Sequence, residues 1–333
     1  MVKKTLNLIK QRFYCKNPRR KIEAVVSIQK RVSINFGQAT VLLKLKPEYL
    51  LQSPDLTYFK KAYLDLQNHD NLTIFEDDDY FIPIATKNDL AISVPRSPFG
   101  SFFIKNRENT FEFEKFEALL LNRLPQVKQL EIRHPSSLYS NFISKERFQQ
   151  NGYRLLFHDI NQHIELTSDW EGEIHEMQKR KLRSLKENGF EFRVIPPEDV
   201  KKVHQFISVC RQTQGLEINI SLELLQNLTN KLPDQYTFFG VFRGEKMSAV
   251  CVAVNVTNKV AYYYLPATSP MFRSESPMVL LIAGMVEHYQ KAGYQSLDLG
   301  VSSFQGKPQE TLRLFKARMG AIETKKPTFL KHF

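Results

Sequence analysis

The stretch Met278-Val-Leu-Leu-Ile-Ala-Gly-Met-Val-Glu-His-Tyr-Gln-Lys-Ala-Gly-Tyr-Gln-Ser-Leu-Asp-Leu-Gly300 decides the fold of this chain. Its first part repeats apolar residues at helical spacing, which predicts an α-helix from Met278 to about Lys291. Gly293 then supplies the left-handed residue that ends such a helix. The residues that follow predict a short strand, which a right-handed crossover brings into a sheet. Strand ends in α/β sheets open onto ligand crevices, so we place the functional site beside this strand.

Asp298 is the candidate catalytic residue of that strand. It lies between Leu297 and Leu299, so its carboxylate points to the opposite face from its apolar neighbours. We interpret it as a general base or a substrate anchor. The alternative is that it only caps the loop after the strand. A second predicted helix, Thr311 to Arg318, follows the loop.

Two sequence patterns resemble a known family. The run Gly-Tyr-x-x-Leu-Asp-Leu-Gly300 precedes Leu-x-x-Phe-Lys-x-x-x-Gly-Ala321, and together they resemble the C-terminal signature of the FemAB-like branch of the GNAT acyltransferase superfamily. The basic helix, glycine and strand of residues 178–193 are similar to the opening of the second domain in these proteins. The resemblance covers roughly residues 170–321. It implies an α/β (α+β) fold of two tandem GNAT-like domains, each a mixed, mainly antiparallel sheet flanked by helices.

Length and internal similarity also favour two domains. A chain of 333 residues is too long for one ordinary core. Leu130-Glu131-Ile132 recurs as Leu297-Asp298-Leu299 and Gly152 recurs as Gly320 at nearly the same offset, which indicates an internal duplication. We predict a basic N-terminal segment over 1–20, an N-terminal GNAT-like domain over 21–165 and a C-terminal GNAT-like domain over 166–333.

The start of the Met278 helix is the predicted donor site. The segments 236–243, 247–255 and 260–265 predict three antiparallel strands, after which a loop enters the helix, where unpaired N–H groups favour an anion. Upstream, Ser168 and Glu171 form a capping-box pattern that predicts one helix from Asp169 to Asn188. By the resemblance, the candidate cofactor-binding residues are Arg273, Ser274, Ser276, Met278 and Lys181.

The sequence is compatible with two classes of acyl donor. The loop Arg273-Ser-Glu-Ser-Pro-Met278 lacks the spaced glycines of acyl-CoA loops, and Glu275 adds an opposing charge. Relatives that take an acyl or aminoacyl group from tRNA also lack these glycines. Acyl-CoA and aminoacyl-tRNA therefore both remain candidate donors. No metal is expected, because the spacing of His158 and His163 favours structural roles.

The candidate acceptor site is bordered by an arginine. Arg96 lies in a proline-bounded loop and offers a planar fork for a carboxylate or phosphate. The alternative is an ordinary turn between two strands. By the resemblance, the candidate substrate-binding residues are Arg96, Phe99, Arg211 and Tyr264.

Composition limits the partners. Lys plus Arg number 47 against 35 Asp plus Glu, a formal charge of +12 that attracts nucleic acid, anionic lipid or a phosphorylated cofactor. No apolar run is long enough to cross a bilayer, and Asn7 and Lys10 interrupt the segment that a signal peptide needs. We therefore expect a cytoplasmic protein without a transmembrane segment. The three cysteines, Cys15, Cys210 and Cys251, are odd in number and widely spaced, which favours reduced thiols over a disulfide framework or a zinc site.

These observations predict an N-acyltransferase that moves an acyl (acetyl-type) or aminoacyl group onto an amine-bearing acceptor, in the cleft beside the Asp298 strand. The resemblance implies that Lys316 neutralises a donor phosphate or the developing oxyanion, so we expect Lys316→Ala to abolish transfer with an almost unchanged Tm. Two alternatives stay open. One is an aminoacyl-tRNA-dependent transferase that builds a peptide or lipid, with tRNA as a partner. The other is a non-catalytic GNAT-like binding module. The sequence identifies neither the acceptor nor the oligomeric state.

Overall fold

The computed structural model describes the strands of residues 22–27, 31–36 and 39–44, and residues 56–67, 71–94, 96–106, 110–166 and 169–333. The chain divides into two compact units, Met1–Gln52 and Ser53–Phe333. In the first unit, β1 (Ile22–Ser27), β2 (Arg31–Phe36) and β3 (Ala39–Lys44) form an antiparallel sheet. The predicted basic segment over 1–20 lies outside the described residues.

The second unit contains the remaining described elements. Its first strands are β4 (Leu72–Glu76), β5 (Tyr80–Lys87), β6 (Leu90–Ser93), β7 (Phe103–Ile104), β8 (Gln129–Arg133) and β9 (Arg154–Glu165). The helices among them are α1 (Lys61–Leu66), α2 (Phe113–Arg123) and α3 (Lys145–Gln150).

The strands of the second half are β10 (Phe190–Ile195), β11 (Tyr236–Arg243), β12 (Lys246–Asn255), β13 (Val260–Thr268), β14 (Ser296–Val301), β15 (Ser303–Phe304), β16 (Lys307–Pro308) and β17 (Ile322–His332). The helices are α4 (Trp170–Glu173), α5 (Glu176–Glu187), α6 (Val200–Gln212), α7 (Leu222–Lys231), α8 (Met278–Lys291) and α9 (Glu310–Arg318). The helix predicted from Met278 to about Lys291 and the short strand predicted after it correspond to α8 and β14.

One large mixed sheet organises the second unit. Its strand order is β10-β11-β12-β13-β14-β9-β17-β8-β6-β5-β4, and β7 pairs with β5. Among the described residues only β6 with β8 and β13 with β14 are parallel pairs. The predicted fold class, an α/β protein with a mainly antiparallel sheet flanked by helices, is confirmed.

The order of elements repeats. In the first half β4, β5 and β6 are antiparallel neighbours, and α2 connects β6 to its parallel partner β8. In the second half β11, β12 and β13 have the same relation, and α8 connects β13 to β14. Gly152 and Gly320 each follow the next helix with positive φ, at 78° and 81°. This repetition supports the predicted duplication, while the boundary between 165 and 166 stays a prediction.

The two halves exchange their last strands. β9 follows α3 in the first half but pairs antiparallel with β14 of the second. β17, the last strand of the second half, pairs antiparallel with β8 of the first and with β9. The halves therefore share one continuous sheet, and residues of either half can reach the same site.

The predicted helix from Asp169 to Asn188 is wrong, because α4 and α5 are separate. Ile174 between them is extended, with ψ of 134°, and is buried in the core. His175 has ψ of 140°; its N–H donates to the carbonyl of Arg318, and its Nδ1 accepts from the N–H of Met177, which caps α5. Tertiary packing therefore outweighs the local capping pattern, whose Ser168 lies outside the described residues.

Helices cover both faces of the second half of the sheet. We call the two sides the α6 face and the α8 face. The α6 face packs side chains of α1, α6 and α7 against β11, β12 and β13. The α8 face packs α4, α5, α8 and α9 against the same strands and β14. A third, phenylalanine-rich cluster holds α2 and α3 against β5 and β8.

We predict that Gly284→Ala destabilises the protein. A Cβ atom at this position of α8 would lie 2.2 Å from the ring of Phe192 in β10, so helix and strand must separate. We expect the free energy of unfolding to fall by about 1–3 kcal/mol, despite the better helix propensity of alanine. Chemical denaturation measures this.

The control for that prediction is Gly293→Ala, where a Cβ would meet no atom within 4 Å but φ is 79°. Strain alone should cost about 1 kcal/mol there. A Gly284→Ala variant that is as stable as the wild type would contradict the close packing of α8 on β10.

Candidate functional site

The site begins where two parallel strands separate. β13 and β14 pair only from Val260 with Ser296 to Tyr262 with Asp298. β13 continues to Thr268, whereas β14 turns at Gly300, whose φ is 73°. The two strands therefore stop pairing just beyond Asp298, and we call the place where they separate the gap.

Asp298 is held rigidly at this gap. It is only 2% exposed. Its Oδ2 accepts a hydrogen bond from the Tyr139 hydroxyl at 2.7 Å, and its Oδ1 accepts from Asn161 Nδ2 at 2.9 Å and from the Gly300 N–H at 2.8 Å. Its neighbours Leu297 and Leu299 pack on the α8 face, so the predicted orientation is confirmed. A buried carboxylate needs such donors, and here they come from three separate segments of the chain.

Tyr262 places a hydroxyl beside the same carboxylate. Burial raises the pKa of the Tyr262 hydroxyl well above its usual value, and the charge of Asp298 acts in the same direction. The hydroxyl therefore stays protonated. Its Oη makes no hydrogen bond to the described residues, and a Cβ at Gly300 would lie 3.0 Å from it. Glycine therefore leaves room for this hydroxyl at the gap, where it can donate to a ligand.

Lys316 approaches the gap from the other side. It is 3% exposed, and its Nζ donates to the carbonyls of Gly300 at 3.0 Å and Val301 at 2.9 Å. Burial lowers its pKa to about 8, against a smaller raising effect of Asp298. The side chain thus satisfies the end of β14. This geometry revises our expectation of an unchanged Tm for Lys316→Ala, because two buried carbonyls would lose their donor.

A pocket of about 500 Å³ lies on the α6 face. We call it the tyrosine–arginine pocket, because five tyrosines and three arginines contribute to its wall. These residues are Tyr58, Tyr63, Tyr236, Tyr262, Tyr264, Arg96, Arg133 and Arg211. Tyr262 belongs to both the pocket and the gap, so the pocket leads to the Asp298 strand.

The pocket is suited to an anion. No carboxylate is among its described wall residues. Arg133 Nε donates to Glu131 at 2.8 Å, but Arg211 Nε is buried without a hydrogen-bond partner among the described residues. The Tyr58 hydroxyl is likewise buried and unpartnered. Unsatisfied buried donors are costly, and an anionic ligand would satisfy them.

Three of the four predicted substrate-binding residues, Arg96, Arg211 and Tyr264, line this pocket. Arg96 has φ of 59°; its Nη1 donates to the carbonyl of Gln67, and its own carbonyl accepts from the Tyr63 hydroxyl. Phe99 does not line the pocket. It is buried against the Tyr139 ring, with centroids 4.3 Å apart, and supports the tyrosine that binds Asp298.

The predicted donor-binding residues gather at the start of α8. Lys181 Nζ donates to Ser276 Oγ at 3.0 Å, and Ser276 has φ of 60°. Ser274 Oγ donates to the Glu275 carboxylate at 2.7 Å. Met278 Sδ accepts from the Tyr263 hydroxyl. Arg273 is exposed, and its side chain makes no hydrogen bond or ion pair with the described residues.

The two predicted groups occupy opposite faces of β13. Tyr263 points toward the α8 face, where it contacts Met278, whereas Tyr264 lines the pocket on the α6 face. The structure therefore separates the predicted donor residues from the predicted acceptor residues. The gap beyond Asp298 lies between the two groups, at the end of the pairing of β13 with β14.

Sequence reasoning missed several residues of this site. They are Tyr58, Arg133, Tyr139, Asn161, Tyr262 and Lys326. Asn161 had a usable signal, because Asn161-Gln162-His163 places three polar residues in a row within a strand whose end is fully buried. Tyr58, Arg133 and Tyr139 had none, since long-range folding alone brings them to the site.

Two findings concern other classes of site. Within the part of the chain that the structure describes, no three His, Cys, Asp or Glu side chains are grouped to hold a metal ion. No helix in that part combines the length and the apolar character needed to cross a bilayer.

We predict that Lys316 makes stability depend on pH. An unfolded lysine titrates near ~10.4, while the native pKa is about 8. Between these values the unfolded chain binds a proton that the native state has lost, so the free energy of unfolding rises with pH. Relative to Lys316→Met, the wild type should gain about 2 kcal/mol from pH 8 to pH 10. Denaturation curves at each pH measure the difference.

The control for the pH prediction is Lys325→Met, a substitution of an exposed lysine. Its stability difference from the wild type should stay flat over the same range. A flat difference for Lys316→Met as well would contradict a buried, depressed lysine at the end of β14.

Comparisons with known proteins agree with this architecture. Residues 175–307 match the model of the acetyltransferase (GNAT) domain. A comparison with curated protein sequences gives no match. Among solved structures, the C-terminal domain of a putative lysylphosphatidylglycerol synthetase from Agrobacterium fabrum is 16% identical, with a TM-score of 0.58 over 84% of this chain and 91% of that one.

Two further structures have the same fold. FemX is 11% identical, with a TM-score of 0.59 over 82% of this chain and 91% of that chain. L-PGS from Bacillus licheniformis is 12% identical, with a TM-score of 0.54 over 78% of this chain and 83% of that chain. At these identities the likeness concerns the fold. Residues 175–307 thus match a GNAT domain, and the chain has a fold like that of FemX, which is the fold that the resemblance to the FemAB-like branch of the GNAT superfamily predicts.

Proposed function

We propose that this protein is an acyltransferase that moves an acyl or aminoacyl group onto the amine of an anionic acceptor. The observation that supports it most is the tyrosine–arginine pocket, which reaches Tyr262 at the point where β13 and β14 stop pairing. A donor bound on the α8 face and an acceptor bound on the α6 face would meet beside Asp298. Such positioning supplies much of the rate in acyl transfer.

The residues at the gap have different roles in the proposed reaction. The neutral acceptor amine attacks the acyl carbonyl, and negative charge develops on the carbonyl oxygen. The C–S or C–O bond to the donor then breaks, and the donor thiol or alcohol leaves with the proton that the amine loses. The Tyr262 hydroxyl is protonated and makes no hydrogen bond to the described residues, and it donates to the carbonyl oxygen or to the leaving group. Asp298 acts as an anchor rather than a mobile base, because three donors already occupy its oxygens. Its negative charge favours an approaching ammonium group.

The pocket indicates the chemistry of the acceptor. Three arginines in its wall would bind a carboxylate or phosphate, and the tyrosine rings would pack against the rest of the molecule. The acceptor thus combines an amine with an anionic group. The buried, unpartnered donors of Tyr58 and Arg211 would hold that group in a fixed orientation.

A second candidate donor, aminoacyl-tRNA, is favoured by the start of α8. Pro277 has no N–H, Ser276 already binds Lys181, and Glu275 places a carboxylate beside them. This is a poor cradle for a pyrophosphate. The formal charge of +12 and the exposed Arg273 would suit a nucleic acid. The lysylphosphatidylglycerol synthetase among the similar structures bears a name that implies aminoacyl transfer to a lipid. A cytoplasmic location remains part of this proposal.

We predict that one donor class binds and supports transfer. Purified protein is titrated with acetyl-CoA, with bulk aminoacylated tRNA and with a matched single-stranded RNA at two salt concentrations. Saturable binding of acetyl-CoA would favour acyl-CoA as the donor, and tRNA binding above the RNA control would favour aminoacyl-tRNA as the donor. Transfer is then followed by mass spectrometry with glycylglycine and its uncharged C-terminal amide, and we expect the carboxylate form to be preferred. Absence of both binding and transfer would instead support a GNAT-like binding module.

We predict that Tyr262→Phe lowers kcat roughly 100-fold with the donor so identified, since one donor to the developing charge is lost. Stability should change by less than about 0.5 kcal/mol, because the hydroxyl makes no hydrogen bond to the described residues. The matched control is Tyr264→Phe in the same pocket wall, which should affect KM for the acceptor more than kcat. Equal kcat values for the two variants would remove Tyr262 from the reaction.

A further inference from the structure

Lys326 is a titratable side chain that the proposed reaction does not use. It lies in β17, near the middle of the large sheet, and its residue is only partly exposed. Its register partner on β9 is Asp159. Thr324, two residues earlier on the same face, is paired with Asn161, which binds Asp298. Lys326 is therefore on the face of the sheet that carries the Asp298 carboxylate.

The charged groups that face Lys326 come from three strands. Asp298 of β14 and Asp159 of β9 are its acidic neighbours, and Arg133 of β8 is its basic one. Both carboxylates are already committed. Asp159 Oδ1 accepts from Ser303 Oγ at 2.6 Å and from the Gly306 N–H at 3.0 Å, while Asp298 binds the three donors described above.

The Lys326 Nζ atom is consequently left without a partner. It makes no hydrogen bond and no ion pair with any described residue. The Lys326 residue as a whole is partly exposed, so its side chain is not fully enclosed by the protein. A lysine with a confined stem and an unbonded amine is poised to react with an electrophile that enters this region.

We propose that Lys326 is an acylation site of the protein itself, with Nζ accepting the acyl group of an activated ester. In this step the neutral amine attacks the ester carbonyl, an N–C bond forms, and the C–S or C–O bond to the donor breaks. The thiol or alcohol leaves with the proton that the amine loses. The product is an amide, which is stable, so the reaction is a lasting modification that removes a positive charge near Asp298.

The acid–base properties of the side chain support the proposal. Burial lowers the pKa of Lys326 to about 8, although Asp298 and Asp159 act in the opposite direction. At pH 7.5 roughly a quarter of such a group is the reactive neutral amine, compared with about 0.1% of a lysine with an ordinary pKa. Lys316 has a similarly lowered pKa, but its Nζ is bonded to two carbonyls. Geometry therefore distinguishes the two lysines.

The identity of the donor rests on the proposed function, but the reactivity of the amine does not. Folded protein is treated at pH 7.5 with limiting N-acetylimidazole, and each lysine-containing peptide is quantified by mass spectrometry over time. We expect Lys326 to be acetylated at least about tenfold faster than the exposed Lys61 and Lys325. Lys316 should stay unmodified while the protein is folded.

Parallel arms replace the chemical reagent with acetyl-CoA or with aminoacyl-tRNA, and they identify the natural source. Lys326→Arg should remove the fast site, whereas Lys325→Arg should leave its rate unchanged. If Lys326 reacts no faster than Lys61 with N-acetylimidazole, the proposal is overturned, even in a protein that proves to be an active transferase. If N-acetylimidazole acetylates Lys326 fast but neither acetyl-CoA nor aminoacyl-tRNA does, Lys326 is still a reactive lysine. That result would count against the proposed function instead.

Discussion

The hydrogen bonding of Asp298 is the interaction on which the site depends. Its carboxylate is buried and collects donors from Tyr139 of the first half, from Asn161 of the exchanged strand β9 and from the turn at Gly300. Removing a charge from water is costly unless hydrogen bonds replace the lost hydration. The three segments are therefore fixed relative to one another by one side chain. The gap beside β14, the wall of the pocket and the position of Tyr262 all follow from that arrangement.

The exchange of strands explains how a duplicated chain makes a single site. Each half has the same sequence of three antiparallel strands, a helix and a parallel strand, but each borrows its next strand from the other. Each half places a carboxylate in the centre of its parallel strand, but only Asp298 of the second half binds Tyr139, Asn161 and the Gly300 N–H. The equivalent position in β8 is Glu131, which is paired with Arg133 and so directs an arginine toward the pocket. One repeat thus supplies the acidic side of the site and the other supplies a cationic wall.

Much of the local structure could be predicted from the sequence. The helix of residues 278–291 and the strand after it have strong, uninterrupted periodicity, and the structure has them at the predicted bounds. The face of the sheet to which Asp298 points could be predicted, because side chains alternate between the two faces along a strand. The break at Ile174 could not be predicted, because it depends on a contact between His175 and Arg318 that is remote in sequence. For the same reason the pocket was only partly predicted: Arg96, Arg211 and Tyr264 followed from the family resemblance, whereas nothing in the sequence pointed to Tyr58 and Arg133.

The pairing of β17 with β8 and β9 also has a consequence for synthesis. On the ribosome, β8 and β9 emerge long before the segment Ile322–His332 that hydrogen-bonds to both of them. Until that segment is released, each of the two strands has one unpaired backbone edge, and such edges can associate with other chains. Non-local pairing of this kind also slows folding. The architecture that unites the two halves therefore makes the nascent chain most open to misassociation in the interval before its last strand is delivered.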